Sequence, residues 1–210
     1  DAFGSIRGSG CAQIRHKIEQ WIVAFVPNRR YNGGGDRCDS ADQPLIGEGE
    51  KDKAPMLYNG EKVGNGSKPD VDVAVDPIDG TRPLAFGRSN SLATVALAPR
   101  GTMFDPGPFL YMNKIAVGPE AKGKINIEKS ITENLNAIAK AKGKAVEDLT
   151  TIILDRPRHD DMIAEIRKAG ARIREIPDGD VAAALMTAWP DAGVDVLLGI
   201  GGTPEGVLAD

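Results

Sequence analysis

From residue 130 onward the hydrophobic period switches repeatedly between that of a helix and that of a strand, and this narrows the possible folds more than any other feature. Ser130 and Glu133 form a capping box ahead of Ile131, Leu135 and Ile138, so a helix should start there and end near Gly143. "TTIILD" (150–155) reads as a strand. "HDDMIAEIRKAG" (159–170) reads as a helix with Met162, Ile163 and Ile166 inward and Gly170 as its stop. "ARIREI" follows as a strand, "DVAAALMTAW" as a helix and "VDVLLGIG" as a nearly all-apolar strand. Strands and helices alternating through short connections predict an α/β fold, a parallel or mixed sheet covered by helices. Ligands on such sheets sit at the carboxyl ends of strands, beside helix N-termini.

Upstream the signal is patchier. "CAQIRHKIEQWIVAFV" (11–26) is compatible with an amphipathic helix presenting Ile14, Ile18, Trp21, Ile22 and Phe25, but the "PNRRYNGGGDRCDSADQP" after it has no period. Strands are predicted over 71–75 and 91–97. "GTMFDPGPFLYMNK" reads as a glycine- and proline-punctuated connection.

The chemistry-bearing residues fall at strand ends. Asp76 and Asp79 follow Val75, three apart across an expected Pro-Ile turn, so that both carboxylates reach one cation. Hard oxygen donors of this kind suit Mg²⁺ or Mn²⁺ rather than zinc. Glu48 and Glu50 in "IGEGE", and Glu205, add carboxylates. Gly80 and Thr81 offer N–H groups and a hydroxyl for a phosphate. Arg156 and Arg158 in "DRPRH" offer bidentate phosphate contacts, Asp178 and Asp180 follow Ile176, and "GIGGTPEG" (199–206) reads as a flexible glycine loop. Each acid taken alone is compatible with a solvated turn; together they point to phosphoryl chemistry with an attacking water.

Other classes fit poorly. A net charge of −4 and 5% aromatic residues argue against nucleic-acid binding. No apolar run approaches the roughly 18–20 residues of a membrane span. Cys11 and Cys38 read as free thiols of a reducing compartment, the cytoplasm. "GIGG" lacks the spacing of a dinucleotide fingerprint or P-loop, and no G-x-S-x-G elbow occurs. Of the two histidines, His16 and His159, the second is expected to cap or begin a helix rather than catalyse. The chain opens at Asp1 and closes at Asp210 just past a motif, so both ends are expected to be cut.

"VAVDPIDGT" resembles the signature of the lithium-sensitive, metal-dependent sugar and inositol phosphatase superfamily. "IGEGEKDKAPMLYNGEKVG", "DPIDGTRPLAFGRSNSLATVAL", "FLYMNKIAVGPEAKG", "DRPRHDDMIAEIRKAGARIREIPDGDVAAAL" and "GIGGTPEG", in that order, are similar to class II (GlpX-type) fructose-1,6-bisphosphatases. The resemblance implies a layered α/β sandwich of mixed sheets and helices, with a C-terminally truncated phosphatase domain over 45–210 and an atypical segment over 1–44. It implies Mn²⁺- or Mg²⁺-dependent hydrolysis of the 1-phosphate of fructose 1,6-bisphosphate, and a homo-oligomer, dimer or tetramer.

Carried over by motif, Glu48, Asp76, Asp79 and Glu205 would bind metal, with Asp42 a stand-in for a further aspartate. Thr81 would position the water, with Glu48 and Asp76 beside it as catalytic residues. Asp79, Gly80, Thr81, Tyr111, Arg156, Pro157, Arg158, Asp178, Gly179, Asp180 and Gly202 would contact substrate, the arginines holding phosphate and the aspartates sugar hydroxyls. The departures are Asp79 where the family often has Glu, and Arg37 where its N-terminal block carries a lysine. Sedoheptulose 1,7-bisphosphatase, inositol-phosphate phosphatase and an inactive sugar-phosphate-binding protein remain the alternatives.

Overall fold

The structure is a computed structural model, and it describes residues 44–46, 61, 68–104 and 111–209. The helix expected over 11–26, and Asp42, Glu48 and Glu50, lie outside the described residues. The chain divides into two units, one of residues 1–77, 93–105 and 210, the other of residues 78–92 and 106–209.

The first unit holds a three-stranded sheet in the order β1 (Pro44–Ile46), β2 (Val71–Asp79), β3 (Leu92–Pro99), with β1 parallel to β2. The expected end of β2 at Val75 is corrected: the strand runs on through Pro77 to Asp79, and no Pro-Ile turn interrupts it. Proline's fixed φ suits extended backbone, and the break comes at Gly80, whose φ of 81° disfavours any residue with a Cβ. The buried positions of β2 are also not the valines. Asp72, Ala74 and Asp76 are buried, whereas Val71, Val73 and Val75 are half-buried. Asp72 tolerates this by accepting a hydrogen bond from the Gly101 N–H at 2.6 Å, with the Arg100 guanidinium 3.6 Å away.

The second unit is built on a four-stranded mixed sheet in the order β4 (Tyr111–Val117), β7 (Val196–Gly202), β5 (Thr150–Leu154), β6 (Arg172–Ile176). β7, β5 and β6 run parallel, and β4 runs antiparallel to β7. Alternate residues bury on opposite faces, as a pleated strand requires. Ile153, Val196 and Leu198 pack with Leu135 and Ile138 of α2 (Ile131–Lys142) and Ile163 and Ile166 of α3 (Asp160–Ala169). Ile152 and Leu197 pack on the other face with Ala183 and Ala184 of α4 (Asp180–Ala188), joined by Ala209 of α5 (Thr203–Ala209). A sheet sandwiched between helix layers is the expected α/β arrangement.

Local chemistry sets the boundaries. The Ser130 hydroxyl accepts from the Glu133 N–H, and the Glu133 carboxylate accepts from the Ser130 N–H at 3.0 Å, closing the capping box. The Ser130 N–H, and after it the Ser130 hydroxyl donating to the same carboxylate at 2.9 Å, hold the Glu133 carboxyl below its usual value. Gly143 and Gly170 end α2 and α3 in the left-handed conformation at φ 65° and 92°.

Two further expectations are corrected. Residues 111–114 open β4 rather than a connection, because Lys114 turns inward and spoils the apolar pattern; its side chain is only 9% exposed. "GIGGTPEG" is no flexible loop, since residues 199–202 finish β7 and residues 203–206 begin α5 with nothing between. Its glycines provide room rather than mobility: a Cβ at Gly202 would run into the Glu205 carboxylate, and one at Gly206 into the Met112 sulfur.

Candidate active site

The connections of the second unit leave an opening at one end of the sheet. β5 is followed by α3 on one face and its neighbour β7 by α5 on the other. Chain leaving two adjacent parallel strands toward opposite faces creates a crevice at their carboxyl ends, where α/β sheets bind ligands.

His159 spans that crevice. Its ring is fully buried, Nδ1 lying 2.7 Å from the Leu154 carbonyl and Nε2 2.8 Å from the Ile200 backbone nitrogen. The Ile200 N–H can only donate, so Nε2 accepts and the proton sits on Nδ1, donating to Leu154. His159 also begins α3, without a side-chain cap bond, which agrees with a structural rather than catalytic part. His159→Ala is expected to leave both backbone groups unpaired and to lower unfolding free energy by about 2–4 kcal/mol in urea titration. A loss under about 1 kcal/mol would contradict this bridge.

Arg158 completes the arrangement from the next position. Its Nε and Nη2 donate to the Ile200 carbonyl at 2.9 and 2.8 Å, and its guanidinium lies 5.3 Å from the centre of the Tyr111 ring. Tyr111 arrives at the same end because β4 runs antiparallel, pairing it with Gly202. Arg156 donates to the Asp155 carbonyl at 2.7 Å and stands 3.7 Å from the Asp178 carboxylate. Pro157 opens the turn between them.

Gly179, at φ 89°, turns the chain from β6 into α4, and its hydrogen-only side chain lets the Asn90 carbonyl come close. The helix start is capped from a distance: Asp79 Oδ2 accepts from the Ala182 N–H at 3.0 Å, a favourable place for a carboxylate. Asp79 is buried and belongs to this unit, with Gly80 beside it and Thr81 exposed at the start of the short α1 (Thr81–Ala85). Asp180, the first residue of α4, pairs with Lys114 at 2.6 Å. A cleft of about 190 Å³ opens beside Asp178, walled by Pro83, Ile152, Ile176, Ala182 and Met186.

Glu205 sits at the mouth of α5 with its Oε2 buried and without a hydrogen-bond partner among the described residues. A buried carboxylate oxygen lacking a donor is costly unless a cation or ligand meets it. The Glu205 carboxylate therefore offers an oxygen donor of the kind a hard divalent ion takes.

The structure thus gathers Tyr111, Arg156, Pro157, Arg158, Asp178, Gly179, Asp180 and Gly202 at one end of one sheet. Asp76 is buried in the other unit, and Glu48 and Asp42 lie outside the described residues. Among the described residues no three acidic, histidine or cysteine side chains form a metal-holding group. Lys114 is the residue that sequence reasoning missed. Nothing in "YMNKIAV" shows that its partner is Asp180, 66 positions away.

An α/β sheet with arginines and acids at the carboxyl ends of its parallel strands belongs to the class that binds small-molecule ligands at that edge. Within that class, the family model described as bacterial fructose-1,6-bisphosphatase, glpX-encoded, matches residues 39–210, and the chain belongs to this family. It is 53% identical over 165 residues to fructose-1,6-bisphosphatase 1 class 2 of Escherichia coli K12, covering 79% of this chain and 49% of that protein. The same identity and coverage hold for the fructose-1,6-bisphosphatases class 2 of E. coli O6:H1 and Shigella flexneri. The chain spans about half the length of these curated relatives. Among the described residues no helix is long and apolar enough to cross a membrane.

Proposed function

We propose that the protein carrying this chain hydrolyses the 1-phosphate of fructose 1,6-bisphosphate, yielding fructose 6-phosphate and inorganic phosphate in gluconeogenesis. The observation that carries the reading is the presence of two guanidinium groups and two carboxylates at one end of one sheet: Arg156, 3.7 Å from Asp178, together with Arg158 and Asp180. A phosphorylated sugar asks for both, cationic donors for phosphate and acceptors for hydroxyls. The family membership and the relatives' names support the same substrate.

In this reading Arg158, held on the Ile200 carbonyl and the Tyr111 ring, binds a phosphate with its remaining N–H groups. Asp178 and Asp180 accept from sugar hydroxyls, and Pro157, Gly179 and Gly202 let the sugar approach the backbone. Thr81 orients the attacking water beside Gly80. Asp79 and Glu205 would hold Mn²⁺ or Mg²⁺, which supplies charge stabilisation on the phosphoryl oxygens when bound. Asp76, Glu48 and Asp42 keep the same assignment on sequence grounds alone. A cytoplasmic homo-oligomer, dimer or tetramer, accompanies this proposal by family resemblance.

Phosphate release from fructose 1,6-bisphosphate, sedoheptulose 1,7-bisphosphate and inositol monophosphate tests the reading. The fructose substrate should give the highest kcat/KM, and a chelator should abolish turnover until Mn²⁺ or Mg²⁺ is restored. Absence of release from all three at saturating metal, with sugar-phosphate binding still seen by calorimetry, would favour a binding protein instead.

A further inference from the structure

We propose that Lys114 is a positioning residue of the sugar site, acting through Asp180; the inference rests on the bisphosphatase reading. Lys114 comes from β4, opposite Gly199 in the β4–β7 register, and reaches the first residue of α4. Its Nζ is 2.6 Å from Asp180 Oδ2, and the two side chains are only 9% and 11% exposed. A nearly buried ion pair gives little net stability, because both ions lose their water. Its value here is geometric, since it fixes one oxygen of a carboxylate at the mouth of the crevice.

The surrounding chain makes room for this pair. A Cβ at Gly201 would lie 2.5 Å from Asp180 Oδ2 and 3.0 Å from Lys114 Nζ, and a Cβ at Gly206 would lie 3.5 Å from Lys114 Cε. Gly201 of "GIGGTPEG" is thus accounted for by the space that the Lys114–Asp180 pair occupies, while Gly206 leaves room chiefly for the Met112 sulfur. The void lined by Lys114, Asp180, Leu198, Ile200 and Gly201 is about 10 Å³, room for one water at most. No sugar enters there, so Lys114 works through Asp180 and leaves Oδ1 of that carboxylate for the substrate hydroxyl.

The test compares wild type, Lys114→Met, Asp180→Asn and the double variant in the full-length protein, assayed by Mn²⁺-dependent phosphate release from fructose 1,6-bisphosphate. Lys114→Met should raise KM about 10- to 100-fold, the size of one hydrogen bond to a charged group, with kcat within about threefold. The double variant should have the KM of Asp180→Asn alone, because residues acting as one unit do not add. It also leaves no unpaired buried charge, so it carries the comparison if Lys114→Met fails to fold.

A KM within twofold of wild type for Lys114→Met, or a double variant whose losses multiply, would overturn the inference while the bisphosphatase reading stands. A wild type that releases no phosphate would overturn both.

Discussion

Glu205→Gln is expected to lower metal-dependent phosphate release by about 10³-fold while leaving the melting temperature unchanged or slightly raised. The two effects separate because of where the carboxylate sits. Oε2 is buried with no partner among the described residues, so the charge stabilises nothing that the fold shows. Removing it relieves desolvation, and the amide fills the same volume. What is lost is the oxygen donor offered to a divalent cation, with Gly202 left bare to admit it. Thermal melts with and without Mn²⁺ check the assignment, since the metal-induced rise should shrink in the variant. Retained activity, or a large loss of stability without metal, would remove Glu205 from the cation site.

The second large effect lies at the other end of β7 and concerns stability. Asp195, 4% exposed, accepts from Lys142 at 2.9 Å, Lys144 at 2.8 Å and the Thr150 N–H at 2.9 Å. The two lysines flank Gly143, whose left-handed turn ends α2, so one carboxylate ties a helix end to two strands. Asp195→Ala should cost about 2–4 kcal/mol in denaturant titration, because a backbone N–H and Lys142, 12% exposed, lose their partner; Lys144, 43% exposed, can turn to water.

Burial pushes the Asp195 carboxyl upward, but the hydrogen bonds from Lys144, Lys142 and Thr150 outweigh it and hold the group below its ordinary value. The unfolded chain therefore binds this proton more readily than the folded one. The contribution is complete above the unfolded value near pH ~4 and fades as pH falls through the lower folded value. Wild type should thus lose more stability than Asp195→Asn on acidification below pH ~4, and parallel curves would refute the link.

Much of the second unit was legible because local and tertiary signals agree there. Ser130 with Glu133 and the stops at Gly143 and Gly170 are short-range chemistry, and the apolar runs of β5 and β7 require cover on both faces. The reading weakened where long-range pairing decides. Lys114 can lie nearly buried in β4 because Asp180 meets it, and Asp72 can lie buried in β2 because Gly101 and Arg100 satisfy it. Neither partner is visible from the residue's own neighbourhood. The glycines after Leu198 stand out in the sequence, but not as parts of a strand and a helix. Their signal was composition, which does not distinguish a flexible loop from a strand that must leave room for Glu205, Lys114 and Asp180.

Ile200 shows what this means for finding functional positions by substitution. Its amide proton goes to an imidazole nitrogen and its carbonyl oxygen receives an arginine, so the main chain of one residue acts as a unit that joins a buried histidine to the rim of the crevice. Exchanging its side chain leaves that unit in place. A scan that swaps side chains one by one would pass over Ile200, and the contribution of its main chain would be credited to His159 and Arg158 on either side of it.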